Sequence, residues 1–132
     1  MPSPVENAAD IERAIESFAR VPNGGLLLPP NFTNAIHRHL IIALAARHRL
    51  PAVYSQRRFV TAGGLMCYET DSVEQSRQAA TYVARILRGD KPVDLPVQMP
   101  VRYQTVLNLK TARALGLPVP DLLLVRADEV ID

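Results

Sequence analysis

Three short apolar runs, each bordered by glycine or proline, place the tightest limit on how this chain can fold. The runs are residues 26–28, 52–54 and 65–68. Runs this short and uninterrupted, closed off by helix breakers, are typical of parallel strands that are buried on both faces. A fourth run, residues 103–107, is rich in the residue types that favour strands.

Segments with helical periodicity separate these runs. After a capping Asn7, apolar residues recur at i, i+3, i+4 and i+7, which predicts a helix that ends near Arg20. A second helix is predicted to start at Asn31 or Thr33 and to run to about His48. Residues 56–62 are predicted to form one helical turn before a Gly-Gly pair.

The longest predicted helix starts at Asp71 or Ser72 and stops at Gly89. Glu74 stands three residues after Asp71, as in a capping box. The apolar spacing predicts that one face of this helix is buried. That face consists of Val73, Ala80, Val83 and Leu87.

The last third of the chain is rich in turn residues. A proline-rich connector covers residues 90–100, Asn108 caps a short helix that Gly116 closes, and Pro118 and Pro120 predict an extended stretch. The alternation of helices and strands along the whole chain predicts an α/β fold. We expect three layers around a mostly parallel sheet of the Rossmann or flavodoxin-like type.

Charge and cysteine content exclude several classes of protein. The formal net charge is +2 and the basic residues are dispersed, so we expect no nucleic-acid partner. A single cysteine, Cys67, rules out a disulfide within the chain. No signal peptide precedes residue 7, which predicts a cytoplasmic protein if the chain as given is complete.

In open α/β sheets, ligands bind beyond the carboxyl ends of the strands. The first such end leads into a helix N-terminus, where free backbone N–H groups favour a carboxylate. We predict that Asn31 and Thr33 hold a ligand acid group and that Phe32 lines the pocket. The alternative is a plain N-cap after a turn.

The second strand end holds Tyr54, Gln56 and Arg57. A guanidinium can bind a carboxylate through two parallel hydrogen bonds. Arg57 would therefore suit the carboxylate of an amino acid or another organic acid. The alternative is a solvated arginine.

Nothing in the sequence predicts an enzyme, a metal site or a cofactor. His37 and His39 are two residues apart and would point in different directions on a helix, and His48 has no acidic or cysteine neighbour. Neither Gly-Gly pair has the spacing or the lysine of a phosphate-binding loop. No serine or cysteine stands in a nucleophile-elbow pattern.

Several stretches resemble one family. "HRLPAVYSQRRFVTAGGLMCYETD" (residues 48–71) resembles the point where family members cross between two lobes, and "AATYVARILRGDKPVDLPVQMP" (residues 79–100) resembles the helix and connector that follow. "LNLKTARALGLPVP" and "LLVRADEVID" resemble the closing helix and the C-terminal tail. The family is the substrate-binding proteins of ABC transporters, of the periplasmic type I fold and related to tryptophan and tyrosine importers.

The resemblance implies a solute receptor that closes its lobes around an amino acid or carboxylate and delivers it to the membrane subunits of an importer. It places the chain in the periplasm. Residues 8–67 would belong to the second lobe and residues 68–132 to the first, after a loose start at residues 1–7. It also places Tyr68 near the hinge, facing the cleft, whereas Asp71 is expected only to cap its helix.

The chain resembles only the C-terminal portion of the family, which is more than twice as long. Such a portion would leave sheet edges and apolar helix faces uncovered, so we expect a homodimer. A different hypothesis is a stand-alone α/β oligomerisation or remnant domain that binds no solute. A third hypothesis, a small enzyme on the same layout, has no residue pair to support it.

Overall fold

The strands form one sheet whose order follows the chain. The computed structural model describes residues 5–132. Within them the strands are β1 (Leu26–Leu28), β2 (Ala52–Tyr54), β3 (Met66–Thr70), β4 (Tyr103–Asn108) and β5 (Glu129–Ile131). The first three are parallel, β4 is antiparallel to β3, and β5 is parallel to β4. The predicted α/β fold with a mostly parallel sheet is confirmed, while part of the predicted loose start, residues 1–4, lies outside the described residues.

Helices fill the connections between the strands. They are α1 (Ala8–Phe18), α2 (Phe32–Ile36), α3 (Arg38–Arg47), α4 (Arg57–Thr61), α5 (Ser72–Leu87), α6 (Leu109–Leu115) and α7 (Asp121–Arg126). A single 3-10 turn, Pro92–Asp94, lies in the connector between α5 and β4.

The main core lies on one face of the sheet. The strand register aligns Tyr54 with Cys67 and Cys67 with Val106, and residues aligned in this way point to the same face. Helices α1, α3 and α4 supply the other side of this core. Their buried apolar residues are Ile11, Ile15, Ile41, Leu44, Ala45, Phe59 and Val60.

A second apolar row crosses the opposite face of all five strands. In register from β1 to β5 it consists of Leu27, Val53, Met66, Leu107 and Val130. Coverage of this row is uneven, since Leu107 is 1% exposed and Leu27 is 78% exposed. The face is therefore covered at β4 and open at β1, and Val130 of β5 is 41% exposed.

Two adjacent glycines shape the turn from α4 into β3. Gly63 has a φ of +107°, which residues with a side chain rarely adopt. At Gly64 a Cβ atom would lie 2.6 Å from the ring of Tyr54 and 2.8 Å from the carbonyl oxygen of Phe59. The turn therefore requires glycine at position 63 because of its positive φ, and at position 64 because a side chain would not fit.

Three segments differ from the expectations. The second predicted helix divides at His37 into α2 and α3. The stretch after Pro118 is expected to be extended, but it is so only to Pro120, the N-cap of α7. A proline is compatible with a helix start, because it has no N–H group that would need a hydrogen-bond partner there. The third strand is shifted towards residue 70, and the C-terminal tail adds β5 beside β4.

The predicted buried face of α5 is wrong. The helix itself has the predicted extent, and its N-cap is Asp71, which accepts hydrogen bonds from the backbone N–H groups of Val73 and Glu74 at 3.0 and 3.1 Å. None of its residues is buried, however, and Leu87 is 82% exposed. The helix is amphipathic as its sequence predicts, but Val73, Ala80, Val83 and Leu87 are all exposed.

Candidate functional site

One edge of the sheet brings together the residues that the sequence singled out. Strands β1, β2 and β3 end at this edge, and because β4 and β5 run the other way, they begin there. The edge therefore collects residues from the loops after β1 and β2, from β3, and from the first residues of β4 and β5. These residues are Asn31, Phe32, Thr33, Gln56, Arg57, Tyr68, Glu69, Tyr103 and Glu129.

At the end of β1, Asn31 acts as a helix cap. Its side-chain oxygen accepts hydrogen bonds from the backbone N–H groups of Thr33 at 2.7 Å and Asn34 at 3.4 Å. The sequence predicts that backbone N–H groups at this helix start bind a ligand carboxylate. In the structure, the side-chain amide of Asn31 already accepts hydrogen bonds from two of these N–H groups. Phe32 is 81% exposed, so its ring is available to a ligand or to another surface.

At the end of β2, Tyr54 is part of the core. Its side chain is 2% exposed and stacks on Phe59, with 4.9 Å between the ring centroids and 18° between the ring planes. Burial raises the pKa of Tyr54 to about 12. The Tyr54 ring therefore lies in the core beneath the site, where a ligand bound at the protein surface would not contact it.

Arg57 binds a carboxylate in the two-pronged way that the sequence suggested, and the carboxylate belongs to Glu129. Its Nε donates to Glu129 Oε2 at 2.7 Å and its Nη2 to Oε1 at 2.6 Å. The hydrogen bond from Arg57 holds the pKa of Glu129 below its usual value, and Glu129 raises the pKa of Arg57 in turn. The backbone N–H of Arg57 also donates to Glu69 Oε2 at 3.1 Å.

Gln56 lies next to this pair and accepts a hydrogen bond from Arg58 Nε at 2.6 Å. This end of the sheet therefore presents the Arg57 guanidinium, two carboxylates and one amide. These groups are chemically complementary to a zwitterion, since an amino acid carries both an anionic and a cationic group.

Two tyrosines form an exposed aromatic pair on the face opposite the main core. Tyr68 of β3 and Tyr103 of β4 stack with 5.2 Å between ring centroids and only 4° between ring planes. Their side chains are 56% and 42% exposed. A flat, exposed ring surface of this kind favours stacking with an aromatic group.

Two members of this edge are not identified by the sequence analysis. Glu129 is not among its candidate residues, and Tyr103 belongs there only to a β-prone run. Each is brought to the site by strand pairing: Thr70 aligns with Tyr103, and Val106 aligns with Glu129. The only signal in the sequence was the polar or aromatic character of these positions within short apolar runs.

Other candidate features do not assemble into a site. Within residues 5–132 no group of three histidine, cysteine or acidic side chains could hold a metal ion. The Nε2 atom of His48 is buried without a hydrogen-bond partner in the same part of the chain. No helix among the described residues is long and apolar enough to cross a membrane.

The cavity beside Tyr54 and Gly64 is too small for an amino acid. Its volume is about 20 Å³, which is room for about one water molecule. A ligand of amino-acid size would therefore not fit in this cavity.

Comparison with known proteins gives a consistent result. The family model described as "ABC transporter substrate binding protein" matches residues 1–131. No curated protein matches significantly. Among solved structures, a conserved domain protein from Vibrio cholerae O1 biovar El Tor is 28% identical, with a TM-score of 0.80 over 94% of this chain and 42% of that one.

Two further structures share the fold at lower identity. An ABC domain in complex with L-Trp from Streptococcus pneumoniae is 24% identical, with a TM-score of 0.82 over 96% of this chain and 44% of that one. A ligand-free, open substrate-binding protein with adhesive properties from Clostridium difficile is 18% identical, with a TM-score of 0.69 over 96% of this chain and 42% of that one. The chain thus spans less than half the length of each of these structures.

Proposed function

The chain belongs to the ABC transporter substrate-binding protein family, and on this premise we propose that it contributes part of the solute site of an importer for amino acids. Family membership makes it a substrate-binding domain rather than an enzyme. The observation that carries the solute class is the match to the ABC domain bound to L-Trp, which extends over 96% of this chain. The proposed solute is an amino acid with an aromatic side chain. The protein would bind this solute outside the cytoplasm and deliver it to the membrane subunits of the transporter.

The same end of the sheet offers a group for each part of such a solute, with the tyrosine pair on one face of the sheet and Arg57 on the other. The exposed faces of Tyr68 and Tyr103 would stack on the aromatic ring. Arg57 would bind the carboxylate, which would compete with Glu129 for the guanidinium. Glu69, whose carboxylate already accepts the Arg57 backbone N–H, would then face the ammonium group.

Phe32 and Gln56 complete the proposed site at its margin. Phe32 is exposed and adds apolar surface, and Gln56 adds an amide beside Arg57. Asn31 and Thr33 would shape the loop rather than contact the acid group, because Asn31 already accepts the Thr33 N–H. Lobe closure would bring the remaining contacts from the part of the fold that this chain does not span.

A second candidate function is a homodimeric α/β interaction domain with no solute. The specific observation in its favour is the open β1 side of the sheet, where Leu27 is 78% exposed and the outer strand edge has no neighbour among the described residues. Uncovered strand edges favour pairing with another chain.

The test is a thermal-melt titration with L-Trp, L-Tyr and L-Phe, with L-Ala and acetate as small controls and the molecular mass measured on the same sample. A ligand at a hundredfold excess over its dissociation constant stabilises the folded state by about 2.7 kcal/mol. We expect the aromatic amino acids to raise the melting temperature and the small controls to leave it unchanged. No shift from any compound, in a folded dimer, would favour the second candidate.

Two variants separate a binding role of Arg57 from a structural one. Arg57→Gln removes the guanidinium, and Arg58→Gln is the matched control on the neighbouring, exposed arginine. We expect weaker binding only for the first. Glu129→Gln leaves Arg57 in place but weakens its competing partner, so affinity should hold or rise. Equal losses from Arg57→Gln and Glu129→Gln would assign the pair to folding alone.

A further inference from the structure

A groove lies between helix α5 and the connector that follows it. Its volume is about 220 Å³, against about 20 Å³ for the cavity beside Tyr54 and Gly64. Pockets that hold drug-sized ligands span about 300–1,000 Å³, so this groove has room for a molecule of about one ring. The residues that line it are Gln75, Gln78, Ala79, Tyr82, Gln98 and Pro100.

The polar groups of the groove are carboxamides, and none of its lining residues is charged. Oε1 of Gln75 accepts a hydrogen bond from the Thr70 hydroxyl at 3.2 Å, which leaves the Gln75 NH2 group as a donor. No hydrogen bond within residues 5–132 uses the side-chain amide of Gln78 or Gln98, so each offers both donors and an acceptor. The groove therefore presents neighbouring donors and acceptors without a net charge.

The Tyr82 ring gives the groove an apolar wall. Tyr82 is half-buried, and its hydroxyl donates a hydrogen bond to the carbonyl oxygen of Pro96 in the connector. The ring lines the groove together with the carbon atoms of Ala79 and Pro100. An aromatic ring can bury a large apolar area, so this wall favours a ligand with an apolar ring face.

The two walls of the groove are held together at three points, so its shape exists before any ligand binds. One pair lies at the sheet, one in the middle of the groove and one at the far end of α5. The pairs are Asp71 with Arg102, Tyr82 with Pro96, and Arg85 with Asp90. A preformed site binds its ligand more tightly, because less of the protein has to become ordered on binding.

We propose that this groove binds a neutral sugar ring with hydroxyl groups on adjacent carbons. A carboxamide fits two such hydroxyls, because its oxygen accepts from one while its NH2 group donates to the other. The C–H face of the sugar would lie against the Tyr82 ring. The groove shares no residue with the proposed amino-acid site, so sugar binding does not depend on that proposal.

Two other ligand classes fit the groove less well. An organic acid, an amine or a phosphate would lose hydration there without meeting a lining side chain of opposite charge. An extended peptide binds well at the edge of a strand, whereas the connector wall contains Pro96 and Pro100, which have no N–H group. A ring that carries hydroxyl groups needs neither a charge nor a strand edge.

The experiment follows the side-chain amides of the folded chain by heteronuclear NMR. The probes are D-glucose, D-galactose and N-acetyl-D-glucosamine, with glycerol as a polyol without a ring and trialanine as a peptide. We expect at least one sugar to shift the NH2 signals of Gln78 and Gln98 in a saturable way. Saturation of the Tyr82 ring should also transfer to the C–H protons of that sugar. The dissociation constant should be on the order of 1 mM, because the groove is open and each hydrogen bond contributes little net free energy.

Two alanine variants on opposite sides of α5 separate binding from folding. Gln78→Ala removes an amide from the groove, whereas Ser76→Ala changes a side chain about 200° away around the helix. Alanine is the best helix former, so both variants should fold as the wild type does. The loss of one hydrogen bond should weaken sugar binding by about threefold to tenfold in Gln78→Ala, and Ser76→Ala should bind as the wild type does.

Three results would refute the proposal. The first is the absence of a saturable shift at Gln78 and Gln98 with any of the three sugars. The second is an equal shift with glycerol, or an equal loss of affinity in Gln78→Ala and Ser76→Ala, since either would show that the groove does not recognise the ring. The third is saturable binding of trialanine in place of the sugars, which would assign the groove to a peptide.

Discussion

Replacing Gly64 by alanine tests the steric reason for the glycine pair before β3. The new Cβ would lie 2.6 Å from Cε2 and 3.0 Å from Cδ2 of Tyr54, and 2.8 Å from the carbonyl oxygen of Phe59. The Gly64 N–H donates to that same oxygen at 2.8 Å, so the backbone cannot move away without losing a hydrogen bond. The Tyr54 ring is also fixed, because it is buried and stacked on Phe59.

The size of the effect follows from this lack of room. Extra methyl groups in a well-packed core cost about 1–3 kcal/mol, and the upper end applies where neither neighbour can move. The unfolding entropy of about 2.1 cal/mol/K per residue makes 1 kcal/mol worth about 4 °C for a chain of 132 residues. We therefore expect Gly64→Ala to lower the melting temperature by about 8–12 °C.

The assay is thermal unfolding followed by circular dichroism. Gly25→Ala is the control, since a Cβ there would lie 3.3 Å from the Pro51 carbonyl oxygen and needs only a small adjustment. Its loss should be less than half as large. A melting temperature for Gly64→Ala within 2 °C of the wild type would refute the steric argument.

Two further predictions concern single side chains. The Cys67 thiol is fully buried, and burial raises its pKa to about 11. Iodoacetamide at pH 8 should therefore label Cys67 only after unfolding. Labelling of the native protein at the rate of a free thiol would contradict the buried position of Cys67. The pKa of Asp71 is lowered, chiefly by the hydrogen bond that its carboxylate accepts from the Glu74 backbone N–H. The ionised carboxylate therefore stabilises the folded state above about pH 4, the pKa of an unfolded aspartate. This stabilisation is lost as the pH falls towards the lower pKa of the folded state. Asp71→Ala should therefore lower the melting temperature at pH 7 by more than at pH 3, and an equal loss at both pH values would show that the charge does not matter.

The strands and most helices could be predicted because local signals and tertiary packing agree. Leu26–Leu28 and Ala52–Tyr54 have borders set by glycine and proline, and α5 has an acidic cap. The strand β5 could not be predicted, because the three residues Glu129–Ile131 form a strand only through pairing with β4. The break at His37 leaves no glycine or proline signal either.

The candidate site was predicted less completely than the fold. The position of Arg57 at a strand end, and its capacity to bind a carboxylate with two hydrogen bonds, followed from residue type and spacing. Its partner Glu129 is 72 residues away in sequence, and no local pattern connects the two. The burial of Tyr54 was equally inaccessible, because a tyrosine at the end of a strand can point towards the core or away from it.

The segment formed by α5 and its connector begins and ends at neighbouring points of the sheet, which affects how the chain folds. The Asp71 N–H and the Arg102 carbonyl lie 3.0 Å apart, so the polypeptide leaves the sheet and returns to it at almost the same point. Entropically, bringing those two ends together costs only slightly more for a long loop than for a moderate one. The strands β3 and β4 can therefore pair in the same way as the two strands of a hairpin, and residues 72–101 can become ordered afterwards as an insertion. Sequence changes within this insertion would leave the pairing of the five strands unchanged.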